Sequence, residues 1–194
     1  MVTPKTHRSS RISVASRPST DMDILENPKE WLHEFQHGWL AHFEETGLAD
    51  WKKYVRPRNH FAPSGSGIKL AESRLLLISS AGGYLHESQE PFDAHNQFGD
   101  YSLRLFPSNT PFDSLSFAHD HYDHQYVDAD PQVLLPLRHL EEMVSEGVIG
   151  ELSPNVISFS GYQPNVIRVV KELIPAILKV AKEDQVNAAL LVPS

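Results

Sequence analysis

The sequence contains no cysteine. This excludes disulfides, thiolate metal sites and a thiol nucleophile within these 194 residues. Long apolar runs are also missing; none approaches the roughly 18 residues that a membrane-spanning helix needs. Basic residues are few: 17 Lys and Arg stand against 25 Asp and Glu, a net charge of −8. A nucleic-acid binder would normally present a basic face, so that class is disfavoured. Neither GxGxxG nor a lysine-bearing phosphate loop occurs. What is present, 40% hydrophobic and 22% charged residues, fits one soluble globular domain with a core of ordinary size. The expected setting is cytoplasmic, with no membrane and no nucleic-acid partner.

Charge is unevenly spread. Residues 1–20 hold Lys5, Arg8, Arg11 and Arg17 and no acid, leaving a net −12 in the remainder. Residues 1–26 read as a disordered basic tail, with an organelle transit peptide as the alternative. Residues 27–55 read as an amphipathic helical segment. Asn27 can cap it, Pro28 suits the first turn and Glu30 follows three after the cap. Trp31, Leu32, Phe35, Trp39, Leu40 and Phe43 recur at helical spacing, and Gly47 is a stop. Residues 56–72 form a linker whose start is rich in Pro, Gly and Ser.

Residues 73–194 alternate between strand and helix signals. Arg74 to Ser79 reads as a buried strand, with weaker strands at Ser102–Phe106 and Leu115–Ala118. Leu135 to Glu146 reads as a helix stopped by Gly147. A strand at Val156–Phe159 follows, then a helix from Asn165 to Glu183 that Pro175 should kink or split. Asn187 to Val192 reads as a last buried strand. The implied fold class is α/β: a mainly parallel, Rossmann-like sheet with helices on both faces, preceded by the amphipathic helix.

Three motifs invite chemistry. His33-Glu34-Phe35-Gln36-His37 has the HExxH pattern of zinc proteases, whose two histidines share a metal one helical turn apart. Only a tail precedes it, and His42 is one residue short of the three-histidine spacing, so polar positions on an amphipathic helix are the better reading. His119-Asp120-His121-Tyr122-Asp123-His124 has the HxHxDH pattern of metallo-β-lactamase-like hydrolases. The downstream ligands such a site needs are missing, since His139 falls in a helix. Without metal, this is a polar loop at a strand end facing a cleft. Ser79 to Tyr84 is a glycine-rich turn after a strand, where ligands bind in open α/β sheets. No metal or bound cofactor is expected in this chain.

From residue 74 onward, several pieces occur together in order. These are Leu75 to Gly83; Phe92, Gly99-Asp100 and Arg104; Ala118-His119, Tyr122-Asp123 and Asp130; Pro136, Leu140, Glu142, Glu146-Gly147 and Ile149-Gly150; and Asn187 to Ser194. In this order they resemble the selenoprotein B family of glycine/sarcosine/betaine and D-proline reductases. His139 stands where that family usually has arginine, and Gln132 where it has asparagine, which bears on the substrate more than on the fold.

The resemblance implies an oxidoreductase component that cleaves a C–N bond reductively. A partner subunit would carry a pyruvoyl group that captures the amine of a small amino-acid or amine substrate. A thioredoxin-like or selenoprotein A-like dithiol partner would reset the site, and a homo-oligomer is compatible with it. The family's selenocysteine or cysteine would follow Ser194 directly. The expectation is therefore a domain incomplete at its C-terminus, whose gene reads on through a selenocysteine codon; loss of function is the alternative. The catalytic candidates are His119, Tyr122 and Asp123, and the substrate cleft would include Ala81, Gly82, Gly83, Gly161 and Ser194. A zinc hydrolase using residues 119–124 and a non-catalytic binding or assembly protein of the same fold are the competing readings.

Overall fold

The computed structural model describes residues 24–61 and 65–194. The tail and transit-peptide readings therefore fall, up to residue 23, outside the described residues. The first helix runs as α1 (Pro28–Phe35), a π-turn (Gln36–Leu40) and α2 (Ala41–Thr46). Gly47 ends it at φ +70°, the left-handed position that glycine takes without strain. The expected Asn27 cap is not made; its side chain bonds no first-turn N–H. Trp31, Phe35 and Trp39 are buried against Val166, Ile167 and Val170, so this helix packs on the segment that follows residue 165.

The strands are β1 (Arg74–Ser79), β2 (Gly83–Leu85), β3 (Arg104–Pro107), β4 (Leu115–Phe117), β5 (Glu151–Leu152), β6 (Asn155–Ser158) and β7 (Ala188–Val192). Between them lie α3 (Gln125–Ala129), α4 (Leu137–Ser145), α5 (Val166–Arg168) and α6 (Ile174–Glu183). The class is α/β and the sheet is mixed. β7 runs parallel along one edge of β1, from Leu75 opposite Ala188 to Ser79 opposite Val192. β5 and β6 share the other edge, also parallel, with a break at Ser153-Pro154 between them. β3 adds to β6 antiparallel. β2 and β4 leave the sheet and form their own antiparallel ribbon, Gly83 opposite Phe117; the weak strand expected at Leu115–Ala118 belongs here.

Alternation along β1 divides the core. Leu75 and Leu77 cluster with Leu137 and Leu140 of α4, and Leu76 and Ile78 with Ile157 and with Val180 of α6. Asn165 caps α5, its Oδ1 accepting from Ile167 and Arg168 N–H. A π-turn (Val169–Leu173) joins α5 to α6 just before Pro175. This shift of register lets the chain stay helical past a residue that lacks an N–H. The Asp184 carboxylate accepts from Ser153 Oγ (2.8 Å) and Asn155 Nδ2 (3.0 Å), tying the end of α6 to the β5–β6 break.

β7 is a correction to the sequence reading. It was expected to be buried, yet it pairs only with β1, and Leu191 is 68% exposed. The reason is coverage. α6 lies over Leu76, Ile78 and Ile157 and leaves the β7 side of that face open. No helix among the described residues is long and apolar enough to cross a membrane.

This division of the core predicts unequal responses to truncation. Leu76→Ala should cost about 2–5 kcal/mol of unfolding free energy, and Leu191→Ala no more than about 0.5 kcal/mol. Urea unfolding of both variants gives the comparison; equal losses would contradict the burial pattern.

Candidate functional site

The carboxyl ends of β1, β6 and β7 point the same way because these strands are parallel. Ser80 is the first residue beyond β1 and joins all three exits. Its N–H donates to Val192 O (3.1 Å), and its carbonyl accepts from Gly161 N–H (3.1 Å). Its Oγ accepts from Ser194 N–H (2.8 Å) and lies 3.0 Å from Ser194 Oγ. Ser194 Oγ in turn donates to Ser80 O at 3.1 Å.

A second tie brings in the histidine loop. Gly82 sits at φ +69°, its carbonyl accepting from Ala118 N–H (2.9 Å) and its N–H donating to Phe159 O (3.0 Å). A Cβ at this position would lie 2.4 Å from Ala118 O, so only glycine permits the approach. His119 then follows, only 5% exposed. Its Nε2 faces Ser194 Oγ across 3.5 Å. Its Nδ1 accepts from His121 N–H (3.1 Å), so the neutral ring carries its proton on Nε2. Burial, followed by the nearby His121 and His124, lowers its pKa from 6.5 to about 4.

Tyr122 donates its hydroxyl proton to Ala81 O (2.8 Å), and its ring lies 4.7 Å from that of His119. Burial pushes its pKa well up, so it stays a neutral donor. Ala81, Gly82, Gly161, Ser194, His119 and Tyr122 thus come together. Gly83 instead starts the ribbon, against the ring of Phe117. Asp123 also stands apart: it is exposed, and its carboxylate accepts from Gln125 N (3.0 Å) and Gln125 Nε2 (2.6 Å) at the start of α3.

Sequence reasoning missed Ser80, although it lies inside the turn that was singled out. It also missed Tyr162, whose ring stacks on His121 at 4.2 Å and meets Trp51 edge-on at 5.7 Å. Only proximity in the fold identifies these contacts.

The remaining motif residues have separate partners. His124 Nε2 donates to His119 O, and Asp120 pairs with His95. His33 and His37 are exposed and stack on each other at 4.1 Å, with His37 Nδ1 bonded to His33 O. Among the described residues, no group of three or more His, Asp or Glu is arranged to hold a metal ion.

The arrangement supplies donors rather than a base. An imidazole with its proton on Nε2 cannot take the proton of Ser194, so a serine–histidine hydrolase is not assembled here. It can hydrogen-bond to developing negative charge.

Residues 67–194 match the family described as glycine/sarcosine/betaine reductase selenoprotein B. The chain is 27% identical over 123 residues to the D-proline reductase subunit gamma of Acetoanaerobium sticklandii, a match covering 63% of this chain and 49% of that protein. It is 26% identical over 142 residues to the sarcosine reductase complex component B subunit beta of Peptoclostridium acidaminophilum, covering 72% and 32% respectively. The chain therefore spans half or less of the length of these relatives. No solved structure matches it significantly.

The lowered His119 pKa predicts a pH dependence of stability. Between its ordinary value of 6.5 and about 4, the unfolded chain binds a proton that the folded chain excludes. Stability should therefore fall as pH drops through that window and level off below it. Urea midpoints measured across the window should fall less steeply in His119→Gln; equal slopes would contradict the assignment.

Proposed function

Since the chain belongs to the glycine/sarcosine/betaine reductase selenoprotein B family, we propose that it is the selenoprotein B-like part of a glycine/sarcosine/betaine or D-proline type reductase. Its chemistry is reductive cleavage of a C–N bond in a small amino acid or amine. The observation that carries this reading is the convergence of Ser80, Gly161, His119 and Ser194 at the carboxyl ends of three parallel strands, all within the matched residues. Ligands of open α/β sheets bind at this end. The wider fold is read accordingly as a mainly parallel, Rossmann-like sheet with helices on both faces.

In the proposed site, His119 is a neutral hydrogen-bond donor. Its Nε2–H faces Ser194, and the hydrogen bond to Nδ1 fixes that orientation. Hydrogen-bonding to the negative charge that develops as the C–N bond breaks is the role this geometry suits. Tyr122 holds the turn at Ala81 and walls the cleft beside the imidazole. A pyruvoyl group on a partner subunit would capture the amine. The attacking thiolate or selenolate is not among these 194 residues, which include no cysteine. Attack forms a carbon–chalcogen bond and breaks the C–N bond. One thiol of an external dithiol, thioredoxin-like or selenoprotein A-like, then attacks the chalcogen and breaks the carbon–chalcogen bond. The carbon takes a proton from solvent, and the second thiol releases the chalcogenolate as the disulfide closes. The proposed setting is cytoplasmic, in a multi-subunit assembly.

Reconstitution tests the reading. The chain, with a single cysteine appended after Ser194, is mixed with a pyruvoyl-bearing reductase subunit, a dithiol and each candidate substrate in turn. Substrate-dependent dithiol oxidation is expected for one of glycine, sarcosine, betaine or D-proline, falling about 100-fold or more in His119→Ala. Absence of both complex formation and turnover with all four would contradict it.

A further inference from the structure

We propose that Ser80 and His119 form a donor pair that stabilises an anion the size of a thiolate at the place now held by the Ser194 side chain. The proposal deepens the reductase reading and rests on it only for the identity of the anion. That reading puts the nucleophile on the residue after Ser194, so its sulfur or selenium enters this place when the Ser194 hydroxyl turns out of it.

Ser80 Oγ already accepts from Ser194 N–H (2.8 Å), so its own proton is available to donate. Ser194 Oγ gives its proton to Ser80 O (3.1 Å). The proton between the two hydroxyls, 3.0 Å apart, is therefore that of Ser80. Ser80 is held in this pose from both sides by backbone bonds to Val192 and Gly161.

The second donor is His119 Nε2–H. At 3.5 Å from Ser194 Oγ it is too far for a good bond to oxygen. Sulfur is larger than oxygen and forms longer hydrogen bonds, so the same gap suits a thiolate better than a hydroxyl. The bond from His121 N–H to Nδ1 keeps the ring neutral and its Nε2–H in place.

Gly161 keeps the space open. A Cβ there would lie 3.0 Å from His119 Nε2, 3.0 Å from Ser194 Oγ and 3.2 Å from Ser80 Oγ. A side chain there would crowd the point where both donors meet.

The nearby titratable side chains have partners of their own. Asp120 pairs with His95, Asp123 is bonded to Gln125, His124 is bonded to His119 O, Tyr122 is a neutral donor, and His121 stacks on Tyr162. Opposing an anion are the Ser80 carbonyl, 3.1 Å away, and the α-carboxylate of a test protein that ends at residue 194; the test protein therefore carries two further glycines after residue 194. Two oriented donors favour the charged form of a thiol, whereas burial alone would raise its pKa. The sign of the change therefore separates the two effects.

The absence of cysteine makes the test clean, because Ser194→Cys introduces the only thiol. Its pKa is read from the pH dependence of iodoacetamide alkylation, with circular dichroism confirming the fold. The expected value is about 7.5 or lower, against about 8.5 for a free thiol. Adding Ser80→Ala should return it most of the way to the free value, while Ser80→Thr, which keeps the hydroxyl, should leave it low. A value at or above that of a free thiol in folded protein, or a lowered value unchanged by Ser80→Ala, would overturn the proposal. The measurement needs neither partner subunit nor substrate. A lowered pKa together with failed reconstitution would count against the reductase reading alone.

Discussion

The site depends on hydrogen bonds that converge on Ser80. Parallel pairing brings the ends of β1, β6 and β7 to one edge, but it does not fix the loops that leave them. Ser80 does so, bonding Val192 through its N–H, Gly161 through its carbonyl and Ser194 through its hydroxyl. The Gly82–Ala118 contact, two residues along, then carries the histidine loop onto the same edge. The position of His119 is thus set from the sheet rather than from its own loop.

A second support comes from residues before the family match. Trp39 is fully buried and lies 5.4 Å from Trp51, whose ring meets Tyr162 edge-on; Tyr162 stacks on His121. The Tyr54 hydroxyl donates to Pro164 O (3.0 Å), and Trp31 Nε1–H to Val55 O (2.8 Å). The first helix and the turn after it therefore brace the segment from Gly161 to Asn165 beside the site. Gly38 permits this approach, since a Cβ there would lie 3.0 Å from Lys53 O.

Elements whose cause is local were legible in the sequence. Helical spacing from Trp31 to Phe43, the stops at Gly47 and Gly147, and the apolar run of β1 each depend on residues adjacent in the chain. Ala81, Gly82, Gly161 and Ser194 each follow a strand of the main sheet and meet at its edge for that reason, whereas His119 follows a ribbon strand and reaches that edge through the Gly82–Ala118 contact. What depends on remote pairing was not legible. The antiparallel addition of β3 to β6, the departure of β2 and β4 into a ribbon, and the open face of β7 are set by partners far along the chain. Asn27 and Asp123 show the limit at single side chains. Both are in the right place in the sequence, yet one makes no cap and the other turns to α3. Ser80 resembles any serine after a strand until its three bonds are seen.

The central claim is that His119 is a neutral donor with its proton on Nε2, facing Ser194. The nitrogen-15 chemical shifts and long-range proton couplings of its imidazole report protonation and tautomer directly. The account predicts an Nε2–H ring near neutral pH, unchanged down to about pH 5, in keeping with its pKa of about 4. A ring protonated on Nδ1, or an imidazolium near neutral pH, would contradict it.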